Sequence, residues 1–258
     1  MKRTKISIDT DTLPEKLRYL FGGADIYDSS CSPEARVFFI DKDGGYFLKS
    51  APNGTLEREA IMDRYFSQKG LGARVAEYFS LEGRDWLLTE RVSGEDATHA
   101  LYLDNPKRLA ERSAEILREL HGLDFSDCPV QDRVSEYFRT VKENYEKGQI
   151  DLSFGNFSDS ADAYRVATEG QILLKSDTLI HGDYCLPNFL MDNWKFKGFI
   201  DLGNGGVGDR HIDIFWGVWT LEFNLKTNAY GERFLDAYGR DKINADALRT
   251  VSACECFG

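Results

Sequence analysis

The hydrophobic pattern of the sequence changes its period at residues 91–95. Before this segment, apolar residues alternate with polar ones in short runs, as in β-strands, and after it they recur every three to four residues, as in helices. A chain with such a change needs a sheet-rich part followed by a mostly helical part. The sequence therefore predicts an α+β fold with two domains, residues 1–92 and residues 93–258.

Strands and helices can be placed from turn residues and from periodicity. The first part is predicted to open with a helix whose cap and first turn are residues 11–15. It is also predicted to contain a helix from residues 55–57 to about 69 and hairpins at 36–49 and 75–90. In the second part, helices are predicted at residues 106–121, 133–147, 160–174, 213–225 and 244–253. The helix at 106–121 places an apolar face, including Leu109, Ile116 and Leu120, toward a core.

Charge and cysteine content restrict the class of partner. The 258 residues include 43 acidic and 32 basic side chains, for a formal net charge of −11. Such a charge disfavours nucleic acid or an anionic membrane as partner and suits a cationic ligand, although many acidic proteins are acidic only for solubility. Five scattered cysteines without zinc-type spacing indicate reduced thiols. With neither a secretory signal nor a membrane-spanning run in the sequence, the protein is expected to be cytoplasmic.

The segment His181-Gly182-Asp183, followed by Asn188 and Asp201, has the residue types that phosphoryl transfer requires. One carboxylate takes the proton of an acceptor hydroxyl, and an amide oxygen with a second carboxylate holds Mg²⁺ against the phosphates of a nucleotide. Short apolar runs precede both aspartates, so each lies at the end of a predicted strand. Taken singly, Asp and Asn are common turn residues. As an ordered set they predict a base, Asp183, and two metal ligands, while His181 is expected to bond the loop backbone.

A cation on the donor phosphates must itself be held in place. Lys49 ends an apolar strand, and Glu59 on the following helix is the expected carboxylate partner, with Glu57 as a competitor. The Ser-rich turn that includes Ser32 is predicted to lie over the triphosphate, where its hydroxyl groups could contact oxygen atoms. Phe47, on the same strand face as Lys49, is expected to pack either on a purine or in the core.

These motifs resemble the aminoglycoside 3′-phosphotransferases, the antibiotic-kinase branch of the protein-kinase-like fold. The likeness covers nearly the whole chain and includes residues 46–49, 56–59, 181–188 and 198–203. It implies a two-lobe fold with a small antiparallel-sheet N-lobe and a mostly helical C-lobe. It also implies that ATP or GTP lies between the lobes, with the base near Val92 and Phe47, Lys49 paired with Glu59, and Mg²⁺ on Asn188 and Asp201. Asp183 is then the catalytic base.

The resemblance further implies a polycationic aminoglycoside acceptor, which is inactivated by phosphorylation, and a monomer or weak homodimer. The acceptor site is expected to include Glu255, Phe257, Asp159 and Asp162. The sequence departs from the family pattern at Asn204, where relatives typically have arginine, and in residues 254–258, where Cys254 replaces an acid and Gly258 extends the chain. The alternatives are a kinase of another small alcohol or antibiotic, and a nucleotide-binding pseudoenzyme.

Overall fold

The computed structural model describes residues 4–30 and 35–258. The chain divides into two compact units. The first comprises the part of the chain up to Asp96 together with Phe189–Gly203, and the second comprises Ala97–Asn188 together with Asn204–Gly258. The predicted boundary at residue 92 thus lies before the observed one, and the return of the chain to the first unit was not predicted.

Strands and helices occur in both units. The strands are β1 Thr4–Ile6, β2 Asp25–Asp28, β3 Arg36–Asp41, β4 Tyr46–Pro52, β5 Val75–Leu81, β6 Arg84–Glu90, β7 Glu95–Asp96, β8 Thr178–Ile180, β9 Phe189–Asp192, β10 Lys195–Phe199 and β11 Gly206–Gly208. The α-helices are α1 Arg18–Phe21, α2 Glu57–Gln68, α3 Ala100–Leu103, α4 Pro106–His121, α5 Arg133–Glu146, α6 Ser160–Gly170, α7 Arg210–Leu225, α8 Gly231–Tyr238 and α9 Ala245–Glu255.

The main sheet of the first unit is antiparallel and has the strand order β1-β2-β3-β4-β6-β5. The predicted hairpins β3–β4 and β5–β6 are confirmed. One face of the sheet packs on apolar residues of the N-terminal segment. Leu17 of that segment, Ile40 of β3 and Leu48 of β4 are completely buried in this contact. Strand β4 is therefore fixed in register by its core residues, and this fixes the position of Lys49.

The helix cap and first helical turn predicted at residues 11–15 are wrong. The segment forms 3₁₀ turns at Thr10–Thr12 and Glu15–Leu17 before the short helix α1. Pro14 has an extended backbone, with φ −50° and ψ 132°, and so separates the two turns. Helix α2 begins close to its predicted start, and the Asp85 carboxylate accepts a hydrogen bond from Leu56 N at 2.9 Å just before it.

A second antiparallel sheet, β10-β9-β7, explains why Phe189–Gly203 belongs to the first unit. Strand β9 pairs with β7, and Phe199 N donates to Leu71 O at 2.7 Å. The turn between β9 and β10 has positive φ at Asn193 and Trp194, in agreement with the predicted hairpin at Asn193. These hydrogen bonds carry the chain back to the first unit just ahead of Asp201.

Helices dominate the second unit. The predicted helix α4 is confirmed, and its residues Leu109, Ile116, Leu117 and Leu120 are buried. Helices α5, α6 and α9 pack around a core that includes Val141, Ala167, Val251 and Phe257. Helices α3 and α8 were not predicted. Within the described residues, no helix combines the length and the apolar character needed to cross a membrane.

Candidate active site

A cavity of about 400 Å³ in the first unit contains several of the predicted nucleotide-binding residues. Its lining includes Phe47, Lys49, Glu59, Val92 and Asp201. Ser32 lies outside the described residues, although the neighbouring Ser29 lines the cavity. The structure thus brings together in one unit Lys49 and Glu59, predicted to contact the phosphates, and Phe47 and Val92, predicted to lie near the nucleotide base.

Lys49 is the centre of this cavity's charge network. Its Nζ lies 2.9 and 2.8 Å from the two carboxylate oxygens of Glu59, and 2.6 Å from Oδ1 of Asp201. Glu59 is therefore the partner of Lys49, and the competing Glu57 is exposed. Burial lowers the pKa of Lys49, but the charges of Asp201 and Glu59 outweigh it and raise the pKa above its ordinary value. The lysine therefore stays cationic.

A further carboxyl group, Asp63, lies one helical turn after Glu59 and also lines the cavity. It is only 5% exposed. Burial, together with the charge of Glu59, raises its pKa well above the ordinary value, against the opposing effect of Lys49. Sequence reasoning missed Asp63, although its place four residues after Glu59 on the same helix face was a usable signal.

Asp201 follows β10 in a conformation that non-glycine residues seldom adopt, with φ 59°. The next residues form the 3₁₀ turn Leu202–Asn204. The Asp201 side chain is 51% exposed despite its contact with Lys49. Backbone strain of this kind is common where a side chain must be presented for function, and here it directs a carboxylate into the cavity.

In the second unit, the loop after β8 carries Asp183. Gly182 has φ +83°, and a Cβ atom there would lie 2.0 Å from the carbonyl oxygen of Asn204, so only glycine fits. Nδ2 of Asn188 donates to the carboxylate of Asp183 at 2.9 Å and to its carbonyl oxygen at 3.0 Å. The predicted proximity of Asn188 to Asp183 is therefore observed.

Buried Asp213 on α7 holds this loop from behind. Its two carboxylate oxygens accept hydrogen bonds from His181 N and Gly182 N, both at 2.7 Å, and Oδ2 also lies 3.0 Å from Nε2 of His121. The His181 ring accepts from Asp183 N at 3.3 Å, so this histidine bonds the loop backbone as predicted. The positioning role of Asp213 was not predicted, because a helical aspartate gives no sign of what its carboxylate contacts.

Glu255, at the end of α9, is the only predicted acceptor residue that the structure describes near Asp183. Its Oε1 accepts hydrogen bonds from Tyr137 Oη at 2.6 Å and from Trp216 Nε1 at 3.2 Å. Burial raises the pKa of Glu255 to about 7, with the two hydrogen bonds opposing that shift and the charge of Asp183 adding to it. Glu255 is therefore a carboxyl group that changes its charge near neutral pH.

The other predicted acceptor residues have structural roles within their own elements. Phe257, predicted to belong to the acceptor site, is 1% exposed, and its ring packs against Tyr145 and Tyr164. Asp159 caps α6 by accepting from the backbone N of Asp162, whose own carboxylate forms an ion pair with Arg165 in the next turn. Both carboxylates are already engaged by the helix that they begin.

The residues at which the sequence departs from the expected family pattern make local contacts. Nε of Arg133 donates to the carbonyl oxygen of Asn204 at 3.1 Å, so a guanidinium group from α5 lies beside Asn204. Cys254 is completely buried in the core of the second unit. Burial and the charge of Asp183 raise the pKa of the Cys185 thiol, which therefore stays protonated.

The donor set fits Mg²⁺ chemically. Asn188 uses its Nδ2 on Asp183, which leaves its amide oxygen as the atom able to meet a cation, and Asp201 offers a half-exposed carboxylate. No cluster of three or more His, Cys, Asp or Glu able to hold a metal occurs in residues 4–30 and 35–258. Mg²⁺ is commonly held by one or two protein oxygens with phosphate and water completing its shell, and an amide oxygen and a carboxylate are each of a type that it accepts.

A lysine clamped by a helical glutamate, an aspartate after a β-hairpin, and an aspartate and asparagine on one loop together define a phosphotransferase of protein-kinase-like fold. The model of the phosphotransferase enzyme family matches residues 32–251, and the chain belongs to this family.

Named relatives support the predicted resemblance. A probable aminoglycoside 3′-phosphotransferase of Lactococcus lactis subsp. lactis is 49% identical over 257 residues, covering 98% of each chain. The aminoglycoside 3′-phosphotransferase of Streptomyces fradiae is 32% identical over 245 residues, covering 88% of each chain. The resemblance stated from the motifs is confirmed.

Solved structures agree with the fold. The crystal structure of an aminoglycoside-3′-phosphotransferase of type VIII superposes with a TM-score of 0.72 at 26% identity, covering 94% of this chain and 97% of that one. An aminoglycoside phosphotransferase from Streptomyces rimosus, in complex with ADP and streptomycin, has a TM-score of 0.71 at 22% identity and covers 86% and 90%. The predicted α+β, protein-kinase-like fold is confirmed.

Proposed function

We propose that the protein transfers the γ-phosphoryl group of ATP or GTP, with Mg²⁺, to the 3′ hydroxyl group of an aminoglycoside, which inactivates the antibiotic. The proposal rests most on one observation, the cavity in which Lys49 is held by both Glu59 and Asp201. A lysine fixed in this way is a preorganised cation for phosphate oxygens. The 49% identity to a probable aminoglycoside 3′-phosphotransferase supports the class of acceptor.

In this proposal the nucleotide base lies toward Phe47 and Val92, and Lys49 contacts the phosphates. When bound, Mg²⁺ neutralises charge on the phosphate oxygens, and Asn188 and Asp201 are the residues that would hold it. Oδ1 of Asp201 contacts Lys49, and the half-exposed side chain keeps the carboxylate accessible to a cation.

Asp183 is proposed to orient the acceptor hydroxyl and take its proton. The hydrogen bond from Nδ2 of Asn188 fixes one carboxylate oxygen, and the backbone bonds to Asp213 fix the loop itself. A base held in this way needs little reorganisation when the hydroxyl attacks the γ-phosphorus atom.

The acceptor is proposed to be polycationic. Glu255 receives its hydrogen bonds from the neutral groups of Tyr137 and Trp216, so it can still pair with an ammonium group of the ligand. We also propose that the protein acts in the cytoplasm as a monomer or weak homodimer. Its net charge of −11 supports a partner other than nucleic acid or an anionic membrane.

A screen of acceptors with γ-labelled ATP or GTP, followed by NMR of the product, tests the proposal. We expect label transfer to kanamycin or neomycin at the 3′ hydroxyl and none with Asp183→Asn. Transfer only to other alcohols would refute the proposed acceptor class. Nucleotide binding without transfer to any acceptor would indicate a pseudoenzyme instead.

A further inference from the structure

An exposed row of aromatic rings lies along α7 in the second unit. Trp216, Trp219 and Phe223 occupy positions i, i+3 and i+7 of the helix, and we call these three residues the aromatic ridge. The Trp216 and Trp219 rings meet edge to face at 5.2 Å, and Trp219 stacks on Phe223 at 4.9 Å with 13° between the planes. Phe154 supports the ridge, with its ring 5.6 Å from Trp216 and 5.9 Å from Trp219.

The ridge is open to solvent at its far end. Phe223 is 54% exposed, and Trp216 and Trp219 are partly exposed. Burying aromatic rings is favourable, and large aromatic side chains that remain accessible in a row commonly mark a binding surface. Trp216 packs partly against the core of the second unit, but within the described residues that core includes neither Trp219 nor Phe223, so it does not account for the exposure of these two rings.

One end of the ridge is joined to the proposed acceptor site. Nε1 of Trp216 donates to Oε1 of Glu255 at 3.2 Å. Thr220, which lies one turn after Trp216 and one turn before Phe223, accepts a hydrogen bond from Leu186 N in the Asp183 loop at 3.1 Å. Residues three and four apart share a helix face, so the ridge runs alongside the loop that carries Asp183.

The chemistry of the ridge suits an amino sugar. The faces of aromatic rings are electron-rich and attract ammonium groups, while their apolar surface packs against the C–H face of a sugar ring. The protein already shows this attraction, because Nζ of Lys226 lies 4.2 Å from the centroid of the Phe223 ring. A ligand ammonium group placed on the neighbouring rings would meet the same environment, with Glu255 at one end of the row.

We propose that the aromatic ridge binds an amino-sugar ring of the acceptor, which extends away from the hydroxyl that is phosphorylated. Trp219 and Phe223 are then residues that determine acceptor affinity and selectivity, while Glu255 and Asp183 hold the part of the acceptor that reacts. This inference rests on the proposed function, since it assigns a second contact to the same acceptor.

Single substitutions in the full-length protein test the ridge. Trp219→Ala and Phe223→Ala should each raise the KM for kanamycin or neomycin by about 3- to 30-fold, the range expected from loss of a cation–π or stacking contact. The kcat and the KM for ATP should change by less than about twofold, because neither ring contacts the reacting groups. Trp219→Phe keeps an aromatic face and should recover most of the affinity. Tyr19→Ala, a 66%-exposed aromatic side chain of the first unit, is the matched control and should leave every constant unchanged.

Calorimetric titration of the same variants with kanamycin and neomycin separates the ridge from the reaction. If wild-type protein phosphorylates these compounds and the alanine variants keep wild-type KM and affinity, the ridge proposal is wrong and the proposed function stands. If wild-type protein binds them without phosphorylating them, and alanine substitution weakens that binding, the ridge proposal holds and the proposed function fails.

Two further outcomes overturn the ridge proposal. Wild-type protein that neither binds nor phosphorylates the two compounds would refute both proposals. A Phe223→Ala variant that sediments as a smaller species than wild type, with unchanged acceptor constants, would show that the ridge is a contact between copies of the chain.

Discussion

The charged groups around Lys49 and those around Asp183 are satisfied in different ways. In the first unit, the ammonium group of Lys49 forms ion pairs with the carboxylates of both Glu59 and Asp201. In the second unit, Asp183 and Glu255 receive hydrogen bonds from an amide, a hydroxyl and an indole, and no ion pair involving either residue occurs in the described part of the chain. A buried carboxylate without a cation is costly, so the second site is best completed by a cationic ligand.

The largest expected effect is that of Asp183→Asn, which removes the base but keeps an oxygen atom for the hydrogen bond from Asn188. We expect kcat to fall by about 10²–10⁴-fold, the usual loss for a general base, while nucleotide affinity stays unchanged. Steady-state kinetics and nucleotide titration measure the two quantities. Unchanged kcat would remove Asp183 from the role of base.

Lys49→Met tests whether the positive charge of Lys49 acts on the phosphates of the nucleotide. Loss of a preorganised cation should lower kcat by about 10²–10³-fold and leave acceptor affinity unchanged. Lys195→Met, at an exposed position on β10, is the control for loss of a lysine. If Lys49→Met weakened only acceptor binding, the assignment of Lys49 to the nucleotide and of Asp183 and Glu255 to the acceptor would be wrong.

Glu255→Gln tests the need for an acceptor cation. Gln can still accept from Tyr137 and Trp216 but cannot pair with an ammonium group, so acceptor KM should rise by about tenfold at pH 8. In the wild-type protein, KM should fall between pH 6 and pH 8, as Glu255 ionises through its pKa of about 7. A variant with the same pH dependence as wild type would show that another group is responsible.

Glu255→Gln should also change how the free energy of unfolding depends on pH. The ordinary pKa of 4.5 is raised to about 7 in the folded protein, so folded Glu255 keeps its proton where the unfolded chain has lost it. The wild-type free energy of unfolding should therefore decrease as pH rises from 4.5 to about 7, by up to about 3 kcal/mol. Glu255→Gln should lack this decrease, as urea unfolding at pH 5 and pH 8 would show.

The smallest effect is expected from Asp63→Asn, which removes the third carboxyl group near Lys49, after those of Glu59 and Asp201. Its raised pKa means that stability from this group is present below pH 3.8 and is lost as pH rises through the folded pKa. Asn resembles the protonated acid, so the variant should be about 1–2 kcal/mol more stable than wild type at pH 8. Asp41→Asn, at an exposed position on β3, should have no such effect.

Local pattern was sufficient to predict much of this molecule. Helix α4, both hairpins of the main sheet, and the pairing of Lys49 with Glu59 follow from periodicity, turn residues and the spacing along a strand and a helix. The motif around Asp183 also predicted the contact with Asn188, because only a few residues separate them and the loop is tight. These are short-range features, and sequence encodes them directly.

Long-range contacts could not be predicted in this way. The hydrogen bonds that His181 N and Gly182 N donate to Asp213 join residues more than thirty positions apart, as does the bond that Tyr137 donates to Glu255. The sequence predicts Phe257 in the acceptor site and gives no sign of the core contacts that bury its ring. The prediction of a helix cap and first turn at residues 11–15 was wrong because Pro14, with an extended backbone, separates two 3₁₀ turns in this segment.

The return of Phe189–Gly203 to the first unit limits how such a protein can be divided. A fragment that stops at Asp96 would lack the strand that pairs with β7 and would lack Asp201. Recombination between homologous genes at that point would join the main sheet of the first unit from one parent with the segment that carries Asp201 from another. Exchanging the whole first unit between relatives therefore requires three crossover points in the gene, after the codons for Asp96, Asn188 and Gly203, because the coding sequence of this unit is not contiguous.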